Sequence, residues 1–266
     1  MSVYRIFAVF LRQFFVLKGS ASRLFMIFYW STLDLFLWGV LTIYLEKVGG
    51  AELNFVTVIL GTVIFSDLLI RIQSGIAISA LEDVWYRNFI NLFASPLMIS
   101  EYIGGLVLTS IAISFTSLAV MSGFAWLLFS YNIFRFGLIL IPFAGVLFLF
   151  GLALGMASVA LIIRFGPAIE SLIWALPAFF APFSGVFYPV SALPEMAQWF
   201  ARILPSTYIF EGMRSIVLSG TFEVRNLLVA FLLALFYVAV TYFLLVQSYR
   251  LALKKGFLSR FVAENF

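Results

Sequence analysis

The 266-residue chain contains no cysteine and no histidine. Disulfide and thiol chemistry are therefore closed to it. Metal centres of the usual His or Cys kind are excluded, and so is a Ser-His-Asp hydrolase. Charge is also scarce. Asp, Glu, Lys and Arg make up 11% of residues, against about 25% in a soluble domain. Apolar residues take that place: 64% are hydrophobic and 19% aromatic, with 33 Phe, and the mean hydropathy is +1.13. The apolar runs recur along the whole chain, so a signal peptide does not explain them. The composition predicts an all-α integral membrane protein. Its net charge of +4 does not require a nucleic-acid partner, because basic residues in membrane proteins mainly record orientation.

A helix needs about 20 apolar residues to cross a bilayer. Six runs qualify: Leu24–Leu45, Phe55–Ser79, Ile99–Phe129, Phe136–Ile163, Glu170–Tyr188 and Asn226–Gln247. An even number places both termini on one side. If that side is the cytoplasm, it holds Arg5, Arg12, Lys18, Arg23, Arg87, Arg164, Arg250, Lys254, Lys255 and Arg260. The outer side then holds Lys47, Arg135, Arg202, Arg214 and Arg225, with Arg71 inside a span. This excess predicts an N-in, C-in topology. Ser95-Pro96 reads as an N-cap and first helical position opening span three. Gly166-Pro167 reads as a stop and restart between spans four and five, and Gly220 as the end of the helix after Pro205. Span three, at about 46 Å, exceeds a hydrocarbon core of about 30 Å, so one end should project. No soluble domain, long linker or internal repeat stands out, which weighs against an inverted-repeat transporter.

Residues 1–20 are too short and too charged to span, and Arg5, Arg12 and Lys18 interrupt a Phe-rich surface. They suit an interfacial helix, or else the frayed start of span one. Residues 81–95 interleave Glu82, Asp83, Arg87, Asn88 and Asn91 with Val84, Trp85, Phe89, Ile90, Leu92 and Phe93. That spacing predicts an amphipathic helix, either docking in a partner's groove or anchored at the membrane surface. Asp67 and Arg71, four apart in span two, can pair on one helix face. Charges in spans face a partner or a wet cavity. With Asp34 in span one, these three either line a path or fix helix contacts. Gly151 and Gly155 form a GxxxG, which permits close helix approach within or between chains.

Five of the eight prolines fall in one apolar stretch: Pro177, Pro182, Pro189, Pro194 and Pro205. Non-helical backbone at membrane depth survives only when shielded by protein or lining a cavity. Pro194–Leu204 and Pro205–Leu218 read as two short helices, an outer re-entrant pair over residues 189–218, with Glu211 and Arg214 spaced to pair. The plainer reading is an extracellular interfacial loop.

LEDVWYRNFINLFASPLMISEYIGG at 81–105 and FYPVSALPEMAQWFARILPSTYIFEGMR at 187–214 give the chain its resemblance. In order and kind they resemble the membrane subunit of type-2 ATP-binding-cassette exporters, and the resemblance covers nearly all of residues 1–266 as one permease domain. It implies that residues 81–95 form a cytoplasmic coupling helix, with Glu82, Asp83, Trp85, Arg87, Asn88 and Asn91 as contacts to the ATPase. It implies that Tyr188, Pro189, Pro194, Pro205, Tyr208, Glu211 and Arg214 belong to a re-entrant gate. The chain has no G-x-x-x-x-G-K-[ST], hence no P-loop of its own. ATP and Mg would belong to a separate cytosolic ATPase, present in two copies beside a second permease copy, in the cell (inner) membrane. The cargo implied is amphipathic or lipid-linked: a polysaccharide, a lipo-oligosaccharide or a hydrophobic drug. The phenylalanines suit such a path and equally suit a lipid-facing surface. The alternative is a stand-alone secondary transporter or channel using Asp34, Asp67 and Arg71.

Overall fold

In the computed structural model, residues 1–49 and 55–255 are described, and every regular element among them is helical. In chain order these are α1 (Val3–Lys18), α2 (Ala21–Gly49), α3 (Phe55–Trp85), α4 (Phe89–Ala94), α5 (Ile99–Phe129), α6 (Leu140–Phe165), α7 (Glu170–Phe180), α8 (Glu195–Arg202), α9 (Pro205–Ser219) and α10 (Val224–Lys255). Arg260, counted above among the cytoplasmic charges, lies outside the described residues.

Helix α3 is the axis. It is apolar nearly all round, the pattern of a helix enclosed by others. Leu60, Val63, Ile64, Ile72, Ile76, Ala77 and Ala80 are fully buried along it. Helices α5 and α6 pack on two of its sides, with α2, α7 and α9 against the rest. The apolar part of α3 is 72% buried, whereas those of α2 and α10 are 22% buried. The two outer helices therefore present most of their surface to lipid or to another chain. Two hydrophobic clusters stack along α3. One gathers Phe65, Phe143, Phe150 and Phe210, the other Ile76, Tyr102, Val159 and Ile163.

Among the described residues, five stretches are long and apolar enough to cross a membrane: Phe28–Val48, Thr57–Trp85, Ile99–Phe129, Phe136–Phe183 and Val224–Lys254. Predicted span four and predicted span five as far as Phe183 fall in the fourth, which is 48 residues long. As one straight helix it would measure about 72 Å, more than twice a hydrocarbon core. It is broken at Gly166, whose φ of 73° suits glycine. The expected span Glu170–Tyr188 is not one helix. α7 stops at Phe180, a single 3-10 turn covers Ala181–Phe183, and Gly185 turns the chain at φ 73°.

Ser95-Pro96 does not open α5. Ser95 closes α4, with its hydroxyl donating to the Leu92 carbonyl. α5 starts at Ile99, where the Glu101 carboxylate accepts from the Met98 N–H at 3.0 Å and from the Ser2 N–H at 2.7 Å. A carboxylate in the first turn also complements the helix dipole, so no Ser or Thr cap is needed. At the other cap read from the sequence, Gly220 ends α9 in a left-handed conformation.

Small residues set the helix contacts. Lipid supplies no hydrophobic drive between helices, so close backbone approach must do that work. The GxxxG of α6 is spent inside the chain. A Cβ on Gly151 would fall 2.9 Å from the Leu69 carbonyl oxygen, and one on Gly155 would fall 2.8 Å from Ile76 Cδ1. On α5, a Cβ at Gly105 would fall 2.4 Å from Val9 Cβ of α1. Gly151→Val should force α3 and α6 apart and lower stability by about 1–3 kcal/mol. Gly123→Ala, where nothing lies within 4 Å of the added carbon, should not. The thermal midpoint of the detergent-solubilised protein measures both; equal midpoints would disprove this account of the seam.

Candidate functional site

The residues read as coupling contacts divide into two groups. α3 runs on through Leu81–Trp85, so the expected single helix over 81–95 is broken. The chain turns at Arg87, which holds a φ of 55°. That left-handed position lets the Arg87 and Asn88 N–H groups bond back to the Val84 and Asp83 carbonyls at 2.9 and 2.8 Å. Six-residue α4 follows. Trp85, Tyr86, Arg87 and Asn91 face outward and Asn88 is half-buried. Glu82 and Asp83 point inward and are buried.

Asp83 joins three helices. Arg12 of α1 grips it through both terminal nitrogens, Nη1 to Oδ1 and, at 2.6 Å, Nη2 to Oδ2. Tyr102 of α5 donates its hydroxyl to Oδ2 at 2.7 Å. Such forked guanidinium–carboxylate pairs are among the stronger protein hydrogen bonds. Burial alone would lower the Arg12 pKa, but the bond to Asp83 and the charge of Asp83 outweigh it and raise it. Nearby, Gln13 donates to the Ser79 carbonyl at 3.4 Å. Nothing local in the sequence connects Arg12, Tyr102 and Asp83. The available signal was an Arg on the apolar N-terminal helix and a Tyr one turn into span three.

Deeper in the bundle, Asp67 and Arg71 pair as their spacing predicted, Nε to Oδ1 at 3.1 Å. Two further partners were missed. Ser31 of α2 donates to Asp67 Oδ1 at 2.9 Å, and Ser117 of α5 to Oδ2 at 2.7 Å. The Asp67 carboxylate therefore binds α2, α3 and α5 together. Asp34 sits on the exposed side of α2, within Coulomb reach of Asp67 and Arg71 and bonded by the Trp38 side chain. Beside Arg71 opens a cavity of about 540 Å³, walled by Trp30, Ser74, Ser79, Glu82, Trp85 and Trp174.

The proline-broken stretch is also held by side chains. Buried Arg214 donates to Glu211 Oε1 at 2.6 Å and to the Gly185 carbonyl at 2.8 Å. Glu211 Oε1 also accepts the Val190 N–H at 2.8 Å. Tyr188 donates to the Pro182 carbonyl and Tyr208 to the Arg202 carbonyl, both at 2.8 Å. Pro189 precedes a 3-10 turn at Val190–Ala192, Pro194 opens α8 and Pro205 opens α9. Phe179, Phe180 and Phe183 gather round Phe200 of α8, the nearest ring centroids 4.8 Å apart.

Asp83→Ala should release α1, destabilising the protein by about 1.5–3 kcal/mol, the range for a charge-assisted bond, and speeding trypsin cleavage after Arg12. Asp83→Asn, which keeps an acceptor for Tyr102, should fall between. Cleavage as slow as in the wild type would show that Asp83 does not hold α1.

All these clusters lie within α1–α9. Residues 4–218, most of the chain, match the family model described as ABC-2 type transporter. No curated protein matches the sequence. With only helices as regular elements and five membrane-length apolar stretches among the described residues, and with that match, the chain belongs to the ABC-2 type transporter family, the membrane components of ATP-binding-cassette transporters.

Proposed function

We propose that the chain is the permease of an ATP-driven exporter, with a separate ATPase supplying the energy. The family match from α1 through α9 carries this reading. In it the permease works as a dimer with two ATPase copies. Its cargo is amphipathic or lipid-linked: a polysaccharide, a lipo-oligosaccharide or a hydrophobic drug. The fourth apolar stretch crosses twice, reversing at Gly166, which gives six crossings with both termini in the cytoplasm. Its length supports this, since about 72 Å of helix cannot cross once. The α3–α4 corner then faces the ATPase, and α8 and α9 form the outer re-entrant pair.

Burial sorts the coupling residues. Trp85, Arg87 and Asn91 are exposed at the corner and Asn88 half-exposed, so these can meet a partner groove directly. Glu82 and Asp83 are buried. They act on coupling through the position of α3, not by touching the ATPase.

The stand-alone transporter reading keeps one observation in its favour, the exposed carboxylate of Asp34 at membrane depth. Against it, both oxygens of Asp67 accept hydrogen bonds from neighbouring helices, as a packing role requires.

The deciding experiment reconstitutes the chain with its ATPase in proteoliposomes. Arg87→Glu with Asn91→Ala should leave the permease folded and lower ATP-driven transport at least about tenfold, the scale of an interface hot spot. Unchanged transport after residues 86–95 are replaced by a neutral linker would reject the coupling role. Transport driven by an ion gradient without ATPase, and lost in Asp67→Asn, would establish the alternative instead.

A further inference from the structure

The cavity beside α3 has a chemistry of its own. Arg71 lies at one end of its wall, and Glu82 and Trp85 at the other. Fourteen helical residues separate Arg71 from Trp85, about 21 Å along α3. Three of the chain's six tryptophans line it: Trp30 on α2, Trp85 on α3 and Trp174 on α7. Ser22, Ser74 and Ser79 are in the same wall.

Arg71 is the unusual member. Its side chain is 14% exposed and its Nε is bonded to Asp67. Nη1 and Nη2, which carry four N–H donors, have no hydrogen-bond acceptor among the described residues. Asp67 does not take them up: its Oδ1 accepts Nε and the Ser31 hydroxyl, and its Oδ2 accepts the Ser117 hydroxyl. A guanidinium at membrane depth, paired along one edge and bare along the other, is prepared for a second forked acceptor. Phosphate and carboxylate groups fit that fork in two parallel bonds, which a hydroxyl or an amine cannot. The indoles offer rigid apolar faces to whatever the anion is attached to.

We infer that this cavity binds the anionic head, phosphate or carboxylate, of an amphipathic molecule, with Arg71 as its anchor. Trp30, Trp85 and Trp174 hold the adjoining apolar or ring portion. Glu82 stands three helical turns away, and Asp34, though within Coulomb reach of Arg71, makes no ion pair with it among the described residues. The inference rests on the export reading in taking this head to be the cargo's.

The test uses the full-length chain without ATPase, in nanodiscs of phosphatidylcholine, with tryptophan fluorescence as readout. Dibrominated phosphatidylglycerol should quench at about tenfold lower mole fraction than dibrominated phosphatidylcholine, the gain of one charge-assisted bond. Arg71→Gln, whose amide can still bond Asp67, should erase the preference, and Arg71→Lys should keep only part of it. Ser74→Leu, which narrows the cavity and leaves Arg71 in place, should also erase it. Farnesyl diphosphate separates the sources. If it relieves the quenching, a diphosphate-bearing cargo shares the site; if it does not, a membrane lipid is the ligand. Equal quenching by both lipids, an unchanged preference in Arg71→Gln, or preference for a brominated cationic amphiphile would overturn the inference. Arg71-dependent quenching in a chain that exports nothing would reject the export reading and leave the site standing.

Discussion

A polar group on a buried membrane helix must find its partner inside the protein, and α3 is organised by that constraint. Water is absent from the hydrocarbon region, and each unmet donor or acceptor there costs several kcal/mol. The polar residues of α3 are therefore the points at which other elements attach. Thr62 donates to the Val186 carbonyl of the turn after α7 at 2.7 Å. Asp67 takes Ser31 of α2 and Ser117 of α5. Gln73 reaches Ser158 of α6 at 3.0 Å and the Ile173 carbonyl of α7 at 3.4 Å. Asp83 takes Arg12 of α1 and Tyr102 of α5. Between these pins, small residues let the backbones close in: Gly75 of α3 opposite Ser110, and Gly151 and Gly155 of α6 opposite Leu69 to Ile76.

This arrangement bears on how force could travel. Thr62 and Asp83 are 21 residues apart, about 32 Å of helix. A push on the corner at Trp85–Asn91 meets a helix pinned at four levels to five neighbours. Such a helix moves as a body or not at all, because packed interfaces are bistable and do not deform continuously. In the export reading, α3 is then the lever between the energy-receiving corner and the Val186 turn, and Asp83 fixes where the lever begins.

Features that depend on local spacing were legible in the sequence. The Asp67–Arg71 and Glu211–Arg214 pairs, the stops at Gly166 and Gly220, and the full length of α5 all follow from residues within a turn or two of each other. Contacts made across the fold were not. Arg12 and Asp83 are 71 residues apart, and Ser117 lies 50 from Asp67; hydroxyls in apolar spans give no sign of what they face. The reading of 81–95 as one helix failed for a different reason. Its period was sound, but Arg87 takes a left-handed conformation normally left to glycine, so nothing in its residue type marked the break. Ser95-Pro96 misled because Glu101, three residues into the next helix, performs the capping.

The proline-broken stretch shows how much of a candidate gate is structure. Each break in a helix frees carbonyl groups that lipid cannot satisfy. Here side chains meet them one by one: Tyr188 at Pro182, Thr207 at Phe183, Arg214 at Gly185, Thr62 at Val186, Gln198 at Leu193 and Tyr208 at Arg202. Tyr188, Tyr208 and Arg214, chosen from the sequence as gate residues, are among these. A movement that opened a path by unravelling this stretch would strand six carbonyls at once. Rotation of residues 186–219 as a block would keep only Gln198 to Leu193 and Tyr208 to Arg202; the other four bonds tie the block to the end of α7 and to α3. Gly185 and Gly220, both at positive φ, bracket that block. In the export reading the stretch is therefore no free flap: it moves with α3 and the end of α7, to which these bonds tie it, and the Arg214–Glu211 pair travels inside it.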